Sequence, residues 1–316
     1  MINCKACGSL QVLFLFSSKI NNNKSFSVFR CETCGAGFLD PQPDFKEIEE
    51  KYYAADYHAY QLKPAEKLNL LEGAKKFIKK CCLAGFLKYG RPHLYHKIFY
   101  SFFLRMSFYP IYVRQGKVLD VGCGAGKYLG YLKELGWDTY GLDISRLAVD
   151  ITTRANVGKI YSGDLEHNEL PRNFFNVINF NHVFEHLPNP DKMLAEARKL
   201  LKPGGEIIIV LPNFSSLAAK VFKRNWGGFD IPRHLFFWNE KSLKIKLESC
   251  GFEVKKVFYS DTFRGLVAGL SYWIFGDGRK YEKYFLPFGI AADIIADPIF
   301  QQLRWGDQLT IKARKK

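Results

Sequence analysis

The apolar run Val118-Leu119-Asp120-Val121, leading into Gly122-Cys123-Gly124-Ala125-Gly126 and then a helical pattern over 127–135, constrains this chain more than any other feature. Three alternating glycines allow a tight turn with positive φ and let a ligand approach where a Cβ would collide. A helix that starts directly after such a turn points its free N–H groups at an anion. The segment therefore reads as a strand-to-helix loop for a nucleotide-type cofactor. It is not the dinucleotide fingerprint G-x-G-x-x-G, which would place glycine at 127, where the chain has Lys127.

Downstream, strand-like segments at 139–143, 159–163, 175–180, 205–211 and 252–260 alternate with helical patterns at 145–155, 191–201 and 239–249. Such alternation predicts a parallel sheet with helices on both faces and ligands beyond the carboxyl ends of the strands. Two carboxylates fall on that edge. Asp143 closes Thr139-Tyr140-Gly141-Leu142-Asp143, where it could accept from both hydroxyls of a ribose, and Asp164 follows the next strand in Gly163-Asp164-Leu165.

These motifs, together with Asn176-Val177-Ile178-Asn179-Phe180-Asn181-His182-Val183-Phe184-Glu185-His186-Leu187 and Leu201-Lys202-Pro203-Gly204-Gly205, resemble those of the class I S-adenosylmethionine-dependent methyltransferases over residues 116–260. The resemblance implies an α/β fold with a Rossmann-like seven-stranded sheet, mostly parallel with one antiparallel strand. Residues 308–313 would supply that last strand, paired with 252–260. It implies S-adenosylmethionine as cofactor. Asp120, Gly122, Gly124 and Gly126 would hold its methionine part, Asp143 its ribose and Asp164 the adenine amino group, with Asn181 also among the cofactor-binding residues.

The segment after the fourth strand of this domain is where substrate should meet the methyl group, and it offers His182, Glu185 and His186. A neutral imidazole can take a proton near neutral pH, and a neighbouring carboxylate can orient it. Glu-His pairs at this place occur in sugar C-methyltransferases that carry an N-terminal zinc domain. There the pair helps remove a proton beside a ketone, and a tyrosine stands two residues before the glutamate, where this chain has Val183. A second polar cluster, Asp230-Ile231-Pro232-Arg233-His234, lies between aromatic runs and suggests a mobile cover over the site. Arg233 could grip a carboxylate or phosphate in forked geometry, with His234 as base or hydrogen-bond donor, or Asp230 and Arg233 could simply brace the loop.

Cys4-Lys5-Ala6-Cys7 and Cys31-Glu32-Thr33-Cys34 form two C-x-x-C pairs, separated by enough chain for two short strands around Asn21-Asn22-Asn23. Four thiolates complete a closed tetrahedral zinc site, which suits a structural ion stapling a segment too small for its own core. Residues 1–40 thus read as a zinc ribbon and 41–115 as a helical basic and aromatic linker or cap. The methyltransferase domain takes 116–316, with an aromatic-rich insertion at 263–305.

Of the net charge of +15, a surplus of ten lies in residues 63–117, where twelve Lys or Arg face Glu66 and Glu72 among eleven Phe or Tyr. That pattern fits a helical platform on an anionic membrane or around a lipid-linked, phosphate-bearing substrate, and equally a helical cap packed on the sheet. No RNA or DNA motif accompanies the charge. No apolar stretch reaches the about twenty residues of a membrane span, and the start lacks a secretory pattern. The expectation is a cytoplasmic enzyme, with any membrane contact peripheral at the inner face. It would methylate a small or lipid-linked metabolite, with a sugar nucleotide of surface-polysaccharide synthesis as first substrate. The alternatives are O-methylation of a quinone or phenolic lipid, and a nucleic-acid or membrane-binding module with a vestigial methyltransferase domain. The intact glycine loop and both acidic strand ends argue against the last.

Overall fold

In the computed structural model, the residues described are 2–20, 24–43, 47, 108–111, 113–260, 262–275 and 299–316. The N-terminal unit is a hairpin of β1 (Val12–Ile20) and β2 (Lys24–Cys31), with β3 (Gly37–Asp40) added antiparallel to β2. The Asn21–Asn23 turn expected from sequence falls between the two hairpin strands.

The second unit runs β4 (Lys117–Val121), α1 (Lys127–Glu134), β5 (Asp138–Asp143), α2 (Arg146–Arg154), β6 (Lys159–Ser162), β7 (Phe175–Asn181), α3 (Pro190–Leu200) and β8 (Leu201–Pro212). After α4 (Leu217–Phe222) and the short β9 (Phe236–Phe237) come α5 (Glu240–Ser249), β10 (Phe252–Ser260), α6 (Thr262–Phe275) and β11 (Gln308–Lys315). The sheet order is β10-β11-β8-β7-β4-β5-β6, and β11 alone runs against its neighbours, as the sequence implied. Central strands buried on both faces carry unbroken apolar runs, and Ile207-Ile208-Ile209-Val210-Leu211 of β8 is such a run. β8 begins earlier than the apolar pattern suggests. The Pro203-Gly204 excursion occupies the gap in register between Leu201 opposite Phe175 and Glu206 opposite Val177.

β4 has β5 on one side and β7 on the other, so the connections leaving its two flanks diverge and open a crevice at the carboxyl ends. The glycine loop and the Glu185 segment both open onto it.

The N-terminal unit is not tethered at a distance. β9 pairs with β3, with Gly37 opposite Phe237 and Phe38 opposite Phe236, so the catalytic unit supplies the fourth strand of the ribbon's sheet. The Leu39 N–H donates to Leu235 O at 3.0 Å, and the Asn239 side-chain amide donates to Gly35 O at 2.9 Å. Phe38, Leu235, Phe236 and Trp238 are fully or almost fully buried in one core with α3, α5 and the main sheet. Each such ring contributes about 2 kcal/mol of transfer free energy, enough to fix the 235–238 segment rather than leave it as a mobile cover.

Most of the helical linker or cap expected at 41–115, with nearly all of its basic aromatic part from 63 on, and residues 276–298 of the insertion lie outside the described residues. At the described end of the basic segment, Tyr109 is buried and stacked on Tyr128 at 5.3 Å, and its carbonyl accepts from Lys312. That end packs on the sheet. Among the described residues no helix is long and apolar enough to cross a membrane.

Candidate functional site

Gly122, Gly124 and Gly126 all adopt positive φ. Two of them are also required by packing. A Cβ on Gly122 would lie 2.4 Å from the Val183 side chain, and one on Gly126 would lie 2.6 Å from Thr152. The loop is therefore pressed against both the β7 exit and α2. Asp143 braces it, its two carboxylate oxygens accepting from Gly124 N–H at 2.8 Å and Ser145 N–H at 2.9 Å. Cys123 is buried, facing Gly141 as a small loop residue.

Asp120 is 3% exposed and accepts from the Asn179 amide at 2.7 Å, and no cation pairs with it among the described residues. Burial pushes its carboxyl up to about 7, the Asn179 bond only partly offsetting this and the negative field of Asp143 adding to it. The Asn179 Oδ1, also buried, has no donor. A buried carboxylate without a counter-charge, beside an orphaned acceptor, suits a ligand carrying an ammonium group. The sequence reading passed over Asn179, yet a signal was there. A polar residue midway along a doubly buried strand needs a partner, and its register partner is Asp120. Asp164 is more exposed. It closes its own turn on the N–H groups of Glu166 and His167 and pairs with the His167 ring, which together hold its carboxyl low against the cost of burial. Asn181 ends β7, half-buried.

The β7 exit and the β9 approach bring Glu185, His182, His186 and His234 together. Glu185 is 1% exposed, and neither carboxylate oxygen meets hydrogen-bond geometry. Its nearest ring nitrogens are His182 Nδ1 at 3.4 Å and His234 Nε2 at 3.9 Å. Burial alone would raise its carboxyl, but contact with His182 and the fields of His186 and His234 hold it down at about 2. His182, at φ 55°, places Nε2 3.2 Å from Gln308 Oε1, an acceptor, so this nitrogen is the donor. Burial of part of the ring lowers its basicity, and contact with Glu185 more than restores it, so His182 is raised.

His186 and His234 differ from His182. The His186 Nδ1–H donates to Arg233 O at 2.9 Å and the His234 Nδ1–H to Gly228 O at 2.8 Å, which leaves Nε2 of each neutral ring as the acceptor. The rings meet edge to face at 4.7 Å. Burial, reinforced by His234, pulls His186 down to about 4, so it is neutral at physiological pH. The Nε2 of His234 lies 3.9 Å from both Glu185 Oε1 and Asp230 Oδ2. Arg233 is committed to Asp230 through its guanidinium, and its backbone carbonyl orients His186. Of the five acid-base candidates read from sequence, the four ionisable groups of the centre converge, and Arg233 braces them. Gly228 and Gln308 were not anticipated, because one acts through its carbonyl and the other arrives from the last strand.

In the ribbon, Cys4, Cys7, Cys31 and Cys34 converge, with Sγ separations of 3.8 Å for Cys4–Cys34 and 3.7 Å for Cys7–Cys31. A tetrahedron of sulfurs at about 2.3 Å from zinc has edges of about 3.8 Å, so the cluster is compatible with a structural zinc ribbon.

A family profile described as a methyltransferase domain matches residues 92–257. The ubiquinone biosynthesis O-methyltransferase of Shewanella sp. (strain ANA-3) is 27% identical over 95 residues, covering 28% of this chain and 40% of that protein. The chain thus spans about two fifths of the length of that curated relative. An uncharacterised protein of Methanocaldococcus jannaschii is 26% identical over 144 residues, covering 45% of this chain and 67% of the other. Among solved structures, an S-adenosylmethionine dependent methyltransferase from Mesorhizobium loti shares 16% identity at a TM-score of 0.45, covering 67% of this chain and 95% of that one.

Proposed function

This chain belongs to the methyltransferase-domain family, and from that premise we propose that it transfers a methyl group from S-adenosylmethionine to a small or lipid-linked metabolite, a sugar nucleotide first among them. The observation that carries the reading is the pairing of an uncompensated buried carboxylate, Asp120, with a centre of pinned imidazoles across the same crevice. When bound, the cofactor supplies an electrophilic methyl on a sulfonium. Asp120 and Asn179 would hold its ammonium, the glycine loop its amino-acid backbone, Asp143 its ribose, and Asp164 with Asn181 the remaining polar edge.

The protein's own work is alignment and proton removal. Holding a nucleophile in line with the methyl supplies up to about 7–11 kcal/mol. The Nε2 of His234 would take the proton that the acceptor's carbon or oxygen gives up, while the cofactor would supply the methyl. His234 is a better site for that proton than His186, because a charge on Nε2 would sit between Glu185 and Asp230. His186, held neutral, packs its ring edge to face against that of His234 and so helps to place it. A zinc ion on the four cysteines would hold the ribbon that pairs with β9, and β9 begins two residues after His234.

O-methylation of a quinol or phenolic lipid is the second reading, favoured by the ubiquinone-pathway relatives; a phenol, with an ordinary pKa of about 10, needs less help from a base. The test is S-adenosylhomocysteine release on incubation with S-adenosylmethionine and separate pools of sugar nucleotides and quinols, for wild type and His234→Gln. Turnover with one pool, lost in the variant while S-adenosylhomocysteine affinity is kept, supports the assignment. A folded wild type that binds neither form of the cofactor overturns it.

A further inference from the structure

A cavity of about 930 Å³ opens between the ribbon hairpin and the segment from Phe214 to Phe229. That volume is of the order of a small-ligand site rather than a polymer groove. Its cations are Arg30 from β2 and Lys220, Lys223 and Arg224 from α4 and the turn after it, and among the described residues no Asp or Glu lines it. Arg30, Lys223 and Arg224 make no ion pair with any other described residue, while the Lys220 ammonium lies 4.7 Å from the Trp305 ring. Four exposed cations around one opening, with no acid lining it among the described residues, make a positive potential there that favours an anion.

The floor of the cavity is aromatic. Phe229 sits 5.0 Å from Phe16 and 5.9 Å from Phe214, ring centre to ring centre, and the rim carries exposed Val221 and Trp273. Cations above an apolar floor match a ligand that is anionic at one end and apolar or flat at the other. The strap from Trp226 to Asp230 is common to this cavity and the imidazole centre. Phe229 forms part of the cavity floor, while the neighbouring Gly228 carbonyl holds His234 Nδ1 and the Asp230 carboxylate faces His234 Nε2.

We propose that this cavity binds an organic diphosphate, with the diphosphate against Arg30, Lys223 and Arg224 and the organic group on the Phe16–Phe214–Phe229 floor. Resting on the methyltransferase reading above, it assigns the cavity as the anchor for the methyl acceptor's anionic handle. A nucleoside diphosphate and a prenyl diphosphate share this chemistry, and the base or the isoprenoid would occupy the same floor.

The experiment is calorimetric titration of the zinc-loaded full chain with thymidine diphosphate, geranyl diphosphate and inorganic pyrophosphate, for wild type and the double variant Arg30→Gln/Arg224→Gln. At least one ester should bind about tenfold or more tighter than pyrophosphate, and the double variant should weaken it by about tenfold or more. The variant's melting temperature and S-adenosylhomocysteine affinity should match wild type, which separates loss of the site from loss of the fold. The preferred ester identifies a nucleotide or a lipid source. Failure of both esters to bind a wild type that binds S-adenosylhomocysteine overturns the proposal, as does pyrophosphate binding equally well or a double variant that binds like wild type. Ester binding without S-adenosylhomocysteine binding would instead sink the methyltransferase reading and with it the role as acceptor anchor.

Discussion

Replacing Asp120 by asparagine should stabilise the free protein at alkaline pH while removing its hold on the cofactor. Folding raises this carboxyl from 3.8 to about 7, so the folded state binds the proton more tightly than the unfolded chain. The stability this contributes is fully present below the unfolded pKa and is lost as pH rises through the folded one. Between pH 5 and pH 8 the linkage integral gives a loss of about 2–3 kcal/mol from this group. His186 works in the opposite direction. Pulled from 6.5 down to about 4, it contributes stability that is present above its unfolded pKa and lost as pH falls, so raising pH from 5 to 8 returns about 2 kcal/mol. In wild type the two nearly cancel, which is why the comparison must be with a variant that keeps His186. In urea unfolding, Asp120→Asn should gain about 2–3 kcal/mol relative to wild type on going from pH 5 to pH 8. Its S-adenosylhomocysteine affinity should fall by about two orders of magnitude or more, the cost of leaving an ammonium without its buried partner. An asparagine variant with the same stability offset at both pH values would refute the perturbed carboxyl, and unchanged affinity would refute its pairing with the ammonium.

Two further outcomes follow from the same geometry. Glu185→Gln removes the main influence that raises His182, so the His182 imidazole, followed by NMR through a pH titration, should titrate at lower pH than in wild type; an unmoved titration would refute that influence. Cys31→Ala should reduce bound zinc from one ion per chain to none by elemental analysis. It should also lower turnover by about tenfold or more through β9 and His234 while leaving S-adenosylhomocysteine affinity within about twofold, whereas full activity without zinc would uncouple the ribbon from the site.

The sheet and the cofactor side of the crevice were legible in the sequence for a definite reason. Their residues are set by local periodicity and by turns whose φ only glycine adopts readily, and both are visible within a ten-residue window. Asp120, Asp143 and the three glycines announce themselves in this way. Asn179 was harder, because its meaning depends on register with β4. The acid-base centre was legible as residue types but not as roles. Nothing local distinguishes His182, raised by Glu185, from His186, lowered by burial, four positions later. The difference lies in the surroundings each ring meets in the fold, direct contact with Glu185 for His182 against burial beside His234 for His186.

The ribbon shows most clearly why long-range pairing decides function here. From sequence it is a separable staple ahead of a catalytic domain. In the fold its third strand is completed by β9, Asn239 reaches from the cap of α5 to the carbonyl of Gly35 beside Cys34, and the Lys241 ammonium reaches Thr33 O. These contacts join residues about two hundred positions apart, beyond any periodicity argument. Their consequence is mechanical. His234 immediately precedes Leu235, whose N–H donates to Glu185 O on one side and whose carbonyl accepts from Leu39 on the other. Leu235 therefore sits between the glutamate that contacts the imidazoles and β3 of the ribbon, whose Leu39 follows Cys34 by five residues. An in-line displacement tolerates little error in the placement of its proton acceptor. A zinc-bound ribbon paired to that one segment would supply rigidity at the position of His234.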